Sequence, residues 1–341
     1  IKRSTNGGLN WSNDIRVTNN AAYSRTPSIF ALKTIYEAVY LVWEDTRDGN
    51  SEIYYAKSID GGITFGAQMR VTSNASVSTL PTVSGNGNTA NIAWEDNRDG
   101  NHEIYYIHNN NGSWSSETRL TNNSSASSNP CIIRNNDFIG VVWYDNRDGN
   151  NEIYLKTSTN AGNNWSSDKR LTNQSAGSAR PTLDISGQNI HVAWEEYRDG
   201  HSEVYYKKSP DSGLSWSVDT RLTNTLGDGS GSPSIFVSAA GVYLTWAYNN
   251  EIYFKRNPTG NPIGINIVNT EVPESFRLEQ NYPNPFNPET VIRFDVPKAA
   301  YIDLKVYDLL GREVDVLVNK ELKAGKYEYK FDGSGLKSGI Y

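Results

Sequence analysis

The sequence predicts an all-β protein, a β-propeller of five blades (six is the alternative) followed by a small Ig-like β-sandwich. Three observations predict it. Trp43, Trp94, Trp143, Trp194 and Trp246 recur at intervals of 51, 49, 51 and 52 residues. Two further series, Arg16, Arg70, Arg119, Arg170, Arg221 and Pro27, Pro81, Pro130, Pro181, Pro233, keep the same period. After Asn257 the period stops, and a different alternation of apolar and polar residues follows. Self-similarity near 50 residues, with several short strands in each unit, is the pattern of a protein built from repeated four-stranded sheets.

Each unit reads as four strands. The first follows the proline ("PSIFAL", "PTLDIS"), and the second ends on the tryptophan ("YLVWED", "HVAWEE"). The third is "EIYYAKS" or "EVYYKKS", and the fourth carries the arginine ("MRVT", "TRLT"). All are rich in β-branched and aromatic residues and are bounded by Asn, Asp, Gly and Ser. The chain opens on "IKRSTNGGLNWSNDIRVT", the end of a third strand and a whole fourth, and the repeat closes on strands one to three, ending in "EIYFKRN". If the opening fourth strand joins the closing three, the ring closes with five blades and leaves no bare sheet edge. In the six-bladed alternative, "IKRS" belongs to a further blade.

The second and third strands are joined by a loop repeated four times, as in "WEDNRDGNHEIYY" at 94–106. Asp99-Gly100 fits a hairpin turn. Asp96, Asp99, Asn101 and Glu103 supply hard oxygens that could bind calcium. Arg98, however, stands where an EF-hand has its second acidic ligand, and ion pairing of Arg98 with Asp96, Glu103 or a neighbouring blade is the leading reading. No metal is expected otherwise, because His102, His108, His191 and His201 lack ligand spacing.

A second repeated turn joins strands three and four: "SIDGGITF" at 58–65, "STNAGNNW" at 158–165, "SPDSGLSW" at 209–216 and "STNGGLNW" at 4–11, with a looser "HNNNGSW" at 108–114. The Asp or Asn can accept backbone N–H bonds, the glycine can take a positive φ, and the aromatic can fold back as a plug. The turn resembles the Asp-box repeat of sialidase-like propellers over roughly residues 1–257. That resemblance assigns a structural role to Ser58, Asp60, Gly62, Phe65, Ser158, Asn160, Gly162, Trp165, Ser209, Asp211, Gly213 and Trp216. It also implies that an enzyme of this kind would use three arginines, a Tyr–Glu pair and an acidic acid/base. The nearest candidates for catalytic residues are Arg25 in "SRTPSI", Arg180 in "SARPTL" and Tyr197, although neither arginine stands in the Arg-Ile-Pro motif of those enzymes. Tyr36, Glu37, Arg134, Tyr144, Tyr197 and Asp228 break the repeat but form no constellation in the sequence. A catalytic centre needs such asymmetry.

Net charge is −6, with 32 basic and 38 acidic residues, and residues 276–341 are balanced at ten of each. Without a basic footprint, nucleic acid and anionic membranes are not expected partners. The single Cys131 excludes an internal disulfide framework and reads as a buried thiol. No stretch is long and apolar enough to span a bilayer. No leader opens the sequence, which reads as a mature chain or a fragment.

Residues 258–275 read as a linker. Beyond it, alternation in "VIRFDV", "YIDLKVYD" and "KYEYKF" predicts paired strands. "QNYPNPFNP", "VYDLLGREV" and "LKSGIY" resemble the C-terminal sorting domain of type IX secretion cargo over 276–341. The resemblance implies handling by that machinery and a secreted or outer-surface location in a Gram-negative bacterium. The family continues past "SGIY" with further strand, so the domain reads as incomplete at its C-terminus, with an edge through which the chain could self-associate. Two X-Pro steps in "NYPNPF" suggest extended backbone pinned by both aromatics. The leading expectation for function is binding of an extracellular glycan or other polymer. The alternatives are a glycoside hydrolase, exo-sialidase-like, and a matrix protein assembling through β-edges.

Overall fold

The computed structural model describes residues 1–4, 9–32, 38–225, 229–238, 241–257, 265–269, 273–287, 289–333 and 339–341. Tyr36, Glu37 and Asp228 lie outside the described residues, as do residues 5–8 of the turn at 4–11. Two compact units form, Ile1–Val237 with Leu244–Lys255, and Ser238–Tyr243 with Arg256–Tyr341.

Five sheets follow the period of the sequence. Sheet I is β1 (Ser24–Ala31), β2 (Val39–Asp45), β3 (Glu52–Ser58) and β4 (Met69–Arg70). Sheet II is β5 (Ser78–Asn86), β6 (Thr89–Asp96) and β7 (Glu103–Asn110), with β8 (Ser113–Trp114) and β9 (Thr118–Arg119) both on β7. Sheet III is β10 (Ser127–Asn135), β11 (Phe138–Asp145), β12 (Glu152–Ser158) and β13 (Lys169–Arg170). Sheet IV is β14 (Ser178–Ser186), β15 (Asn189–Glu196), β16 (Glu203–Ser209) and β17 (Thr220–Arg221). Sheet V has only β18 (Gly231–Ser238), β19 (Gly241–Tyr248) and β20 (Glu251–Asn257).

Second and third strands are apolar on both faces because both faces are covered. Tyr40, Val42, Ile53 and Tyr55 of sheet I pack on Ile92, Trp94 and Tyr105 of sheet II. The same layering joins II to III through Ala93, Ile104, Val141 and Trp143, and III to IV through Val142, Ile153, Val192 and Trp194. The first strands carry a bare edge of N–H groups, which side chains of the preceding sheet satisfy. Val83 N–H donates to Ser28 Oγ (3.2 Å), Arg134 N–H to Ser84 Oγ (2.9 Å) and Val237 N–H to Asp184 Oδ2 (2.6 Å).

The repeated loop holds sheets I to IV together. Trp Nε1 donates to the acid two residues on: Asp45 and Asp96 at 3.0 Å, Asp145 at 3.2 Å, Glu196 at 3.1 Å. Arg47, Arg98, Arg147 and Arg198 pair with those same acids, each at 2.6 or 2.7 Å, and lie 4.2–4.5 Å above Tyr54, Tyr105, Tyr154 and Tyr205, which face the tryptophans. Each tyrosine hydroxyl donates to the Asp of the Asp-Gly turn: Asp48, Asp99, Asp148 or Asp199. The fourth-strand arginines Arg70, Arg119, Arg170 and Arg221 reach the fully buried Glu52, Glu103, Glu152 and Glu203 at 2.7–2.9 Å.

The turn between strands three and four forms the predicted bonds. Gly62 N–H donates to Ser58 Oγ (2.8 Å), while Ile63 and Thr64 N–H donate to Asp60 Oδ1 (3.0 and 2.9 Å). Ser158–Asn160–Gly162 and Ser209–Asp211–Gly213 repeat the Ser-to-Gly and Ser-to-Asx bonds. The plug closes the seam toward the preceding sheet. Trp165 meets Tyr106 edge-on at 5.0 Å, and Trp114 of the short copy meets Tyr55 at 5.2 Å. Phe65 and Trp216 pack against the neighbouring core clusters. Gly162 (φ +89°) shows the constraint most clearly, since a Cβ there would meet the Tyr106 ring at 2.9–3.0 Å. Gly162→Ala should cost about 1–2 kcal/mol from the left-handed backbone alone, and more from the ring. Gly149→Ala, at φ +97° in open space, carries only the backbone cost, so thermal melts of the two variants separate strain from collision.

The expected exchange of termini is not made. Ile1 and Ile15 hydrogen-bond to each other in both directions (2.9 and 2.8 Å), and Ile1 and Val17 pack on Leu41, Trp43 and Tyr54 of sheet I. Among the described residues no fourth strand pairs with β20. Ile1 and Val17 find their apolar partners on the bare face of sheet I instead.

In the C-terminal region, β21 (Ile265–Asn269), β22 (Arg277–Leu278), β23 (Glu289–Val296) and β26 (Gly325–Asp332) form a sheet in the order β21-β26-β23-β22. β24 (Ala300–Tyr307) and β25 (Glu313–Leu322) form a second. Phe294, Val296, Leu317, Val318, Tyr327 and Phe331 make one core between them. Two expectations are corrected. Residues 265–269, read as linker, form a strand that pairs along β26, because that strand's second edge of backbone donors and acceptors needs a partner. In "NYPNPF" the chain bends at 283–285, and both X-Pro bonds are cis. Phe286 alone reaches the core, 5.9 Å from Phe331, while Tyr282 is 80% exposed and is held by its backbone pairing with Val291.

Candidate functional site

First strands begin where second strands end and third strands start, so these positions share one end of each antiparallel sheet. Arg25 pairs in register with Glu44, Thr79 with Glu95, Ser128 with Tyr144 and Ala179 with Glu195. A β-bulge follows in every first strand of sheets I to IV, and the residue before its proline has positive φ: Thr26 (+47°), Leu80 (+48°), Asn129 (+56°) and Arg180 (+47°). Bulges re-aim side chains and gather at functional sites.

The residue after each repeated tryptophan faces these bulges. Glu44 is buried and accepts from Arg25 Nε (2.7 Å), Thr26 Oγ1 (3.2 Å) and Ser51 Oγ (2.5 Å). Glu95 lies 2.6 Å from His102 Nδ1 and accepts the Asn129 amide of the next sheet (3.1 Å). In sheet III a tyrosine, Tyr144, takes the place of the acid.

Glu195, 1% exposed, accepts from Arg180 Nη1 through both oxygens (2.9 and 3.1 Å), from Tyr197 Oη (3.0 Å) and from the Ser232 amide. Its charge raises the pKa of Arg180, while burial and then Glu195 raise that of Tyr197. Tyr144 lies near enough to Arg180 to interact electrostatically. Among the described residues, Nε and Nη2 of Arg180 have no hydrogen-bond partner. They form the side-on fork that recognises paired oxygens, on a side chain 57% exposed.

Two sequence candidates, Arg180 and Tyr197, therefore meet on one carboxylate. Arg25 does not join them; it is held by Glu44 of sheet I. Arg134 donates to Asn136 O and Asn91 Oδ1 away from this end. The turn residues Ser58, Ser158 and Ser209 end the third strands at the opposite end. The calcium alternative is not supported, because its oxygens already accept from the protein. Asp96 takes Trp94, Ser78 and Arg98, and Asp99 takes Tyr105 and Arg119. Glu103 takes Arg119, Thr121 and Asn101, whose amide also donates to Asn123 O and Ser125 O. No cluster of metal-binding side chains occurs among the described residues. Sequence reasoning missed Glu44, Glu95, Glu195 and His102. The signal was the residue after the tryptophan, which reads Glu, Glu, Tyr, Glu and Ala along the chain.

The comparisons define the class first. The chain is similar in structure to a protein of unknown function from Dyadobacter fermentans (12% identity, TM-score 0.55, covering 91% of this chain and 96% of that one). It is also similar to the Penicillium chrysogenum α-L-arabinanase complexed with arabinobiose (12%, 0.52, 91% and 93%) and to an α-L-arabinofuranosidase of Fusarium graminearum complexed with arabinobiose (14%, 0.51, 88% and 93%). The latter two are β-propeller enzymes, and the likeness establishes an all-β propeller fold; it does not single out the sialidase type. Residues 280–341 match the secretion system C-terminal sorting domain, so the chain carries a type IX export signal directing it to the cell surface or the medium. No curated protein matches the chain in sequence.

Proposed function

We propose that the propeller unit is an exported glycan-binding module whose ligand meets Arg180, Tyr197 and Tyr144 at the hairpin end of sheets III and IV. The observation that carries this reading is the open fork of Arg180, held by buried Glu195 beside Tyr197. A fork recognises vicinal hydroxyls or a carboxylate, and an aromatic face packs on a sugar ring. The test is calorimetric titration with arabinan, polygalacturonate and other soluble plant and bacterial polysaccharides. Arg180→Gln should weaken binding about tenfold or more while the protein still melts cooperatively as a folded unit. Absence of binding to every glycan on a broad array would sink the reading.

A glycoside hydrolase is the second reading, favoured by buried Glu44, Glu95 and Glu195 at one end of the sheets and by the arabinan-directed enzymes of similar fold. Glycosidases need two carboxyl groups flanking the scissile bond. Release of reducing sugar from arabinan or a sialoside, lost in Glu95→Gln, would move the reading to an enzyme and decide between arabinanase and sialidase types. In this reading the Asp-box turns remain structural, and the blade count is six. Ile29, 54% exposed where Val83, Ile132 and Leu183 are 4% exposed, supports a further blade beside sheet I.

A further inference from the structure

The β24–β25 hairpin of the sorting domain closes with Asp308-Leu309-Leu310-Gly311-Arg312, and its bonding leaves the leucines out. Asp308 N–H donates to Arg312 O (3.0 Å) and Gly311 N–H to Asp308 O (2.9 Å). Asp308 Oδ1 accepts the Leu310 and Arg312 amides (2.9 and 3.0 Å), and Asp308 Oδ2 accepts Arg312 Nε (2.7 Å). Gly311 supplies the positive φ of +75°. Every bond of the turn is backbone or belongs to Asp308 and Arg312. Leu309 and Leu310 are 73% and 79% exposed, with Tyr307 beside them at 45%. Nearby charges are spent on each other, Lys305 lying 3.1 Å from both Asp303 and Glu313. The result is a rigid apolar tip on a polar hairpin, where turns ordinarily carry Asn, Asp or Gly. A knob already held in one shape loses little conformational freedom on docking.

We propose that Leu309 and Leu310 form the docking knob of the sorting domain and that the occupant is an apolar pocket of the secretion machinery. The occupant follows from the region in which the knob sits: residues 280–341 are the part of the chain that the machinery handles. A lipid surface fits less well, because the one arginine of the tip is paired with Asp308.

The test uses the full exported protein in a Gram-negative host that has this secretion system. Leu309→Ser/Leu310→Ser should cut the amount outside the outer membrane at least about tenfold, since two buried leucines are worth that or more in docking affinity. The protein should accumulate in the periplasm with an unchanged melting temperature, and Leu309→Met/Leu310→Met should restore export. Wild-type export of the serine variant overturns the proposal. So does a marked fall in its melting temperature, which would give the leucines a role in the fold, or failure of the methionine variant to restore export. A change in molecular mass by light scattering would assign the knob to a contact between copies and overturn it as well.

Discussion

Asp145→Ala should be among the most destabilising single changes in the propeller unit, lowering its stability by about 3 kcal/mol or more. The carboxylate is fully buried and accepts from Trp143 Nε1 (3.2 Å), Ser127 Oγ (2.7 Å), the Arg147 amide (3.0 Å) and the Arg147 guanidinium (2.9 and 2.6 Å). Alanine strands a buried indole N–H and a buried hydroxyl and leaves the half-buried Arg147 with Asp168 as its remaining carboxylate, at 2.7 Å. For a unit of this size the melting temperature should fall by roughly 6–12 °C. Asp145→Asn keeps an acceptor for the indole and should cost less. The pH dependence follows from the same bonds. Burial pushes the Asp145 carboxyl up, but the bonds from Arg147 and Ser127 more than offset it, and its pKa is lowered, as are those of Asp45 and Asp96. A carboxylate with a depressed folded pKa contributes fully above its unfolded pKa of about 4 and loses that contribution as the pH falls toward the folded value. Urea midpoints should therefore be flat above about pH 5 and fall below pH 4, less steeply in the Asn variant. A midpoint that ignored acid would show that these pairs do not stabilise the sheets.

Glu195→Ala should abolish glycan binding while costing only about 1–2 kcal/mol of stability. The stability cost is modest because Arg180 and Tyr197, 57% and 42% exposed, can turn to water; the remaining loss is the acceptor for the Ser232 amide at the next bulge. The binding loss is large because Glu195 fixes both contact residues. Arg180→Gln removes the contact itself while leaving Glu195 to hold Tyr197 and the Ser232 amide, so its loss of affinity reports on the fork. If Glu195→Ala bound glycan as well as the wild type, the contact residues would lie elsewhere on the unit.

The repeat was legible because sheets I to IV are built from the same parts. Trp94, Arg98, Tyr105 and Asp96 occupy fixed offsets, so a stacked Arg–Tyr–Trp unit leaves a periodic trace. The local turn at 58–65 was legible for the same reason: its bonds run between residues no more than four apart. The strand at 265–269 was not, because the segment earns its place from an edge of β26 some 60 residues away. The mutual packing of Ile1 and Val17 on sheet I, in place of pairing with β20, was hidden likewise, since one short strand suits either neighbour by composition.

Sequence alone determined the strand content, the phase of the repeat, the change of architecture after Asn257 and the sorting domain, because each rests on residues close together in the chain. Tertiary structure decided which of the similar arginines lie in register and which lie in a bulge. Arg25 and Arg180 look alike as letters, yet Arg25 lies opposite Glu44 in register, whereas Arg180 sits in the bulge itself at φ +47° with its fork free. That difference arises from backbone geometry and from contacts between strands, which no run of neighbouring residues records.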